Sequence, residues 1–280
     1  MNFPIIDAHV HFSNIGVFHD TARLYSGVDY SAAGLQKECA DAGVAQCVAM
    51  GLNETSPHSF PDKGIATPMG CDLETNPANL FTCQGINPYT IGESALARLD
   101  AELFLPNNCG IKIYAGYYPF HVYDPVYMPV YDLAAKHGKP VVIHTGDTYS
   151  EEGLLDYSHP LRVDRLAVAR RDVNFILAHM GDPWLMDGAE LANKNRNVYV
   201  DISGWIVGDA ARIAEITAEP LLMNRFRQAL IFMDDYKKII FGTDWPLVPI
   251  APYIEFCKAL LPEKAWEYVF CKNAKEIFRI

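Results

Sequence analysis

Short apolar runs alternate along this chain with stretches of helical period. The first run, Ile5–Phe12 (IIDAHVHF), has two faces, because strand side chains repeat every two residues. Ile6, Ala8 and Val10 fall on one face, and Asp7, His9 and His11 on the other. Seven more runs of strand length follow: Gln46–Met50, Leu80–Ile86, Gly110–Tyr114, Pro140–His144, Val173–His179, Val198–Ile202 and Ile239–Gly242. Between them the spacing predicts helices over Ala33–Ala42 (Gly43 as C-cap), Gly92–Phe104, Val126–His137 (stopping at Gly138), Leu161–Arg170 and Leu185–Asn193. Further helical patterns run to about Phe232, and amphipathic helix continues to Phe278. The stretch 51–79 is rich in Pro, Gly, Asn, Asp and Thr, carries no period, and reads as an ordered binding loop.

Apolar strands separated mostly by helices make the βαβ rhythm of a parallel sheet. Eight of them favour a closed α/β fold, a distorted (β/α)8 TIM barrel, over an open doubly wound sheet. The 280 residues, 50% hydrophobic, suit a single domain over residues 1–280. No G-x-G-x-x-G turn follows the first strand and no G-x-S-x-G elbow occurs, so neither a dinucleotide fold nor a serine-hydrolase elbow is expected.

Charge narrows the partners. A net charge of −11 and a pI near 5.2, with no Lys/Arg cluster, set the chain against phosphate backbones, so nucleic acid is not an expected partner. Seven scattered cysteines, odd in number and without a C-x-x-C pair, argue for a reducing cytosol rather than a disulfide scaffold or thiolate zinc site. No signal-like segment precedes Ile5 and no apolar run approaches membrane-spanning length. The expectation is a cytoplasmic protein with a small-molecule substrate and no membrane partner; a homodimer is compatible with it.

In such a barrel the chemistry sits where strands end and the following loops begin. His9 and His11 close strand one, His144 closes strand five, His179 closes strand six, and Asp244 lies just past strand eight. A lone histidine at a strand end is more often structural. Four histidines and an aspartate at the same end of separate strands point instead to a divalent metal, since imidazole and carboxylate suit zinc and its neighbours. Lys112 alternates with the helix-facing Ile111 and Ile113, so its side chain should enter the barrel. It would hold a substrate carboxylate or pair with an acid such as Asp7; a carboxylated, metal-bridging lysine ranks below both. Loop residues Tyr117, Tyr118, His121, Asp147, Tyr149, Ser203 and Trp205 should roof the mouth, with Lys112, Tyr114, Trp205 and Asn87 as substrate contacts. Asn87 could equally cap its own turn. His19, His58, His121, His137 and His159 read as surface or supporting residues.

The phrases VVIHTG, FILAHMG, NVYVDISG and IIFGTDWP, following H-x-H on strand one, resemble the amidohydrolase superfamily. They look like its amidohydrolase-2 branch, which includes aminocarboxymuconate semialdehyde decarboxylase and related hydrolases. The resemblance runs from Ile5 to the C-terminal helix. It implies one catalytic ion, usually zinc, bound by His9, His11, His144 and Asp244. His179 would lie just outside, polarising water or substrate, and Asp244 would also move the proton. Two-metal relatives carry a carboxylated lysine on strand four, so Lys112 leaves a second ion open. The expected activity is hydrolysis of an amide, ester or lactone bond in a small carboxylated molecule, with metal-activated water as nucleophile. The alternative is a non-oxidative decarboxylase on the same scaffold. Phe12-Ser13-Asn14 stands where the decarboxylase branch often carries proline, which weakens a transfer of decarboxylase function.

Overall fold

A computed structural model of the chain describes residues 3–13, 15–52 and 79–280. Strands β1 (Ile5–Val10), β2 (Val44–Met50), β3 (Leu80–Ile86), β4 (Asn108–Ile113), β5 (Val141–His144), β6 (Phe175–Ala178), β7 (Val198–Asp201) and β8 (Ile239–Ile240) hydrogen-bond in chain order. Every pair is parallel. The result is the (β/α)8 barrel that the alternation predicts. The predicted loop over 51–79 lies, apart from its ends, outside the described residues. None of the described helices is long and apolar enough to cross a membrane.

Two apolar layers hold the barrel. Ile111, Ile113, Val141, Ile143, Phe175 and Leu177 pack outward against the helices. Their neighbours in sequence, Val142, Ile176 and Ala178, pack inward with Ile6, Ala8, Val48, Met50 and Ile240. Ala274, Ile277 and Phe278 of the last helix, Asn273–Phe278, join this inner cluster. The outer helices follow their sequence signals. Ser31 accepts from the Gly34 amide to start Ala32–Ala42, and Gly43, at φ 72°, ends it in the left-handed region that glycine adopts freely. That helix buries Leu35, only 1% exposed, so Leu35→Ala should cost about 2–5 kcal/mol.

The first strand departs from strict alternation. Ile6 and Ala8 face inward and Val10 outward, yet His9 also reaches into the barrel. The register with β2 explains this. Asp7 pairs with Cys47 and Val10 with Ala49, so β1 spends three residues where β2 spends two. Such a bulge re-aims a side chain. It sends His9 inward and leaves Asp7 to accept from Thr243 N (3.0 Å), Thr243 Oγ1 (2.6 Å) and His9 N (3.3 Å). Asp7 is therefore bound to the β8 side of the seam, and Lys112 lies beside His9 instead. The seam itself is irregular. β8 stops at Ile240, short of the predicted Gly242, and closure comes from Ala8 N to Phe241 O (3.0 Å), Asp244 N to His9 O (2.8 Å) and His11 N to Trp245 O (2.6 Å).

Candidate active site

The C-terminal rim gathers the predicted residues from β1, β4, β5, β6 and the turn after β8. His9 Nδ1 donates to Asp201 Oδ2 at 2.9 Å, which leaves the lone pair on Nε2. That nitrogen lies 3.4 Å from Asp244 Oδ1 and 3.4 Å from Lys112 Nζ. His11 Nε2 stands 2.9 Å from the same Asp244 oxygen, and the His11 ring stacks on Phe18 at 4.3 Å. The donor atoms of His9, His11 and Asp244 all lie within 4.8 Å of one another, as do those of His9, His179 and Asp201.

His144, the fourth predicted ligand, is at the rim but outside both groups. Its Nε2 donates to the Asp147 carbonyl at 2.9 Å, so its lone pair is on Nδ1. His179 is not strand. It opens a 3-10 turn, His179–Gly181, at φ 61°. Its amide donates to Asp201 Oδ1 (3.0 Å), its Nδ1 approaches the Ser203 hydroxyl (3.0 Å), and its carbonyl accepts from Trp205 Nε1 (2.9 Å). Gly204 makes this possible. A Cβ there would sit 2.5 Å from His179 Nδ1 and 2.8 Å from Asp244 Oδ2, at a φ of +68°.

Electrostatics favours a cation. Burial pushes His9, His11, His144 and His179 below the usual imidazole range, so they are neutral near pH 7. Burial alone would raise Asp244, but the imidazoles of His179, His11 and His9 around it hold its carboxyl well below the usual range. Asp201 is held down in the same way, burial being outweighed by His9 and the Ser203 hydroxyl. Lys112, 1% exposed, is pushed down to about 8 by burial, against the pull of Asp201 and Asp244. Two buried carboxylates thus face one weakened ammonium. Asp244 Oδ1 and His11 Nδ1 are buried without a hydrogen bond of proper geometry. Buried polar atoms are rarely left so, and a divalent ion at the imidazole–carboxylate cluster fits both the deficit of positive charge and the unsatisfied oxygen.

His11, Lys112, His144, His179 and Asp244 line a cavity of about 290 Å3, with His9 and Asp201 behind them. Lys112, Tyr114 and Trp205 are on it, together with Tyr117, Asp147 and Tyr149 from the expected roof. Val17, Phe18, Val207 and Leu247 complete its apolar side. Asn87 is elsewhere. Its Oδ1 accepts from Tyr89 N at 3.0 Å, capping the turn Pro88–Thr90, and it lines a separate recess with Gln84 and Arg98. An orphan amide two residues on is what a short Asn side chain satisfies best. Tyr118 is buried off the cavity, and His121 stacks on Tyr123 (4.9 Å) and Tyr157 (4.5 Å). Sequence reasoning missed Asp201 as a site residue. The rule that selected His144 would have found it, since VYVD puts an acid at the tip of strand seven.

A parallel barrel whose rim collects neutral imidazoles and ionised carboxylates has the architecture of a metal-dependent barrel enzyme. The amidohydrolase (Amidohydro_2) family model matches residues 6–280, and the chain belongs to that family. Among solved structures it is similar to an uncharacterised TIM-barrel protein from Bordetella bronchiseptica, at 20% identity and TM-score 0.72, covering 99% of both chains. It is also similar to 5-carboxyvanillate decarboxylase from Sphingomonas paucimobilis (15%, TM-score 0.66, 99% of both chains). A probable 2-pyrone-4,6-dicarboxylic acid hydrolase from Acinetobacter baumannii is a third (16%, TM-score 0.65, 99% of this chain and 100% of that one). At these identities the likeness is one of fold. Among curated proteins none matches the chain.

Proposed function

We propose that the chain is a metal-dependent hydrolase that opens an amide, ester or lactone bond in a small carboxylated molecule. The observation that carries this reading is the convergence of His9 Nε2, His11 Nε2 and Asp244 Oδ1 on one point, with that oxygen otherwise unsatisfied. His9, His11 and Asp244 would hold one divalent ion, zinc by the donor set, with His144 Nδ1 as a further ligand. Such an ion, when bound, lowers the pKa of water towards 7 and polarises a carbonyl oxygen. Asp244, ionised at neutral pH, takes the proton from the attacking water and passes it to the leaving atom. His179, with Nδ1 turned to Ser203, offers Nε2 to the water or the substrate. Lys112 supplies the positive charge for a substrate carboxylate; its place beside His9 also leaves a carboxylated form and a second ion open. Tyr114, Tyr117 and Trp205 give flat apolar walls that exclude water.

The likeness to a decarboxylase favours a second reading, protonation of a ring carbon with loss of carbon dioxide. The Lys112 ammonium is the acid within reach. Zinc-loaded protein assayed on a lactone panel and on dihydroxybenzoates separates the two. Lactone opening is expected. Carbon dioxide release from the benzoates, with every lactone left intact, would transfer the assignment to the second reading. No turnover on either panel by protein with its ion bound would reject both.

A further inference from the structure

We propose that Asp147 sets the charge of the substrate, admitting molecules with a single carboxylate and rejecting those with a second one at the far end. This rests on the reading that the cavity takes a carboxylated molecule. The charges on the lining are uneven. Among the described residues that line the cavity, Lys112 is the one lysine or arginine, and it is buried beside His9. A carboxylate that reaches Lys112 turns the opposite end of its molecule toward the exposed lining, where Asp147 stands. Asp182, the other acid on that side, is neutralised by Arg225 Nη2 at 2.7 Å. Asp147 has no ion pair among the described residues, so its negative charge meets whatever occupies the outer cavity. The rest of the exposed or half-exposed lining, Val17, Tyr149, Ser150 and Val207, supplies no cation to offset a second carboxylate. A hydroxyl or amine at that end could donate to Asp147 instead. The cavity volume suits a single small ring rather than a longer chain that could turn its second charge to solvent.

Two unit charges a few ångströms apart at a wet rim repel by an amount that corresponds to about a five- to tenfold change in affinity. The test uses zinc-loaded protein and calorimetric binding of benzoate and terephthalate. Wild type should bind terephthalate about five- to tenfold more weakly. Asp147→Asn should bring the two within about twofold, and Asp147→Lys should reverse the order. The backbone carbonyl of Asp147, not its side chain, holds His144, so these variants leave that bond in place. Because the carboxylate is exposed, raising the salt should also narrow the wild-type ratio. Benzoate binding with a ratio that Asp147→Asn leaves unchanged overturns the role of Asp147 alone. If neither acid binds protein that calorimetry shows to hold zinc, the carboxylate reading of the cavity fails and this inference goes with it.

Discussion

Replacing Asp201 by asparagine should cost the protein its metal through a proton on a neighbouring ring. Asp201 is buried, 1% exposed, and spends both oxygens. Oδ2 accepts from His9 Nδ1 at 2.9 Å, while Oδ1 accepts from His179 N (3.0 Å), Ser203 N (3.1 Å) and the Ser203 hydroxyl. Asparagine keeps the shape and has one oxygen. If that oxygen stays on the side with the backbone donors, the new NH2 group faces His9 Nδ1, and the ring must accept there. Its proton then moves to Nε2, the nitrogen that points at Asp244, and the ligand lone pair is gone. The flipped amide avoids this only by turning NH2 against two backbone amides. Loss of such a supporting partner lowers metal affinity about 10–100-fold, or roughly 1.4–2.7 kcal/mol. The charged hydrogen bond lost from the apo protein is worth about 1.5–3 kcal/mol, so its melting temperature should fall as well. Zinc titration by calorimetry at neutral pH measures the first effect and thermal denaturation of apo protein the second. Ser203→Ala, which unloads Oδ1 and leaves His9 alone, should lower stability and hardly touch zinc affinity. Zinc binding by Asp201→Asn within about twofold of wild type would refute the tautomer argument, because about twofold is far below the loss that a reversed ring demands.

Other perturbations bear on the same rim. His144→Ala should lose most of its metal and Lys112→Ala keep most of it, measured as ion content per chain; two ions in wild type, falling when Lys112 is changed, would establish a binuclear site. Gly204→Ala should lower kcat/KM at least tenfold and destabilise the fold, since the backbone sits at φ +68° and the new methyl meets His179 and Asp244; the left-handed conformation alone costs about 1–2 kcal/mol. Asp7 is pushed up to about 7 by burial, from 3.8. Between those values the folded state binds a proton that the unfolded state has released, so this group's contribution to stability is full at low pH and is lost as pH rises through about 7. Asp7→Asn, which never ionises, should therefore gain on wild type as pH increases, by at most about 4 kcal/mol, in urea melts of the apo protein across that range.

Much of the barrel could be read from the chain because parallel strands buried on both faces write themselves as short apolar runs. Gly43 and Gly138 also mark helix ends by a conformation that other residues resist. Part of the rim was legible for a related reason: His144 is a polar residue at the end of a run that is otherwise apolar, and Asp201, which the reading passed over, carries the same signal. What could not be read was set by irregular backbone. Alternation assigns Ile6, Ala8 and Val10 to one face, and nothing local announces the extra residue between Asp7 and Val10. That residue is imposed by the pairing of β1 with β2 and by closure on the segment after β8. Asn87 ends its strand like the true rim residues, yet Pro88 starts a turn at once and the side chain is consumed by it.

The seam between β1 and the chain after β8 carries closure and chemistry together. His179 (φ 61°) and Asp244 (φ 65°) hold left-handed backbones that cost non-glycine residues about 1–2 kcal/mol each. Such strain persists only where surrounding bonds over-determine it. Here they do. Asp244 N donates to His9 O, Leu247 N donates to Asp244 O, and His179 N is tied to Asp201. The first and last of these bonds join a proposed ligand, or a residue beside it, to a different strand, and the second fixes the turn that carries Asp244. The groups that would hold the ion are therefore fixed by the contacts that shut the barrel. Loosening the seam should cost metal affinity and thermal stability in step, whereas a change on the outer wall of the cavity, at Val17 or Val207, should touch substrate binding with little effect on either.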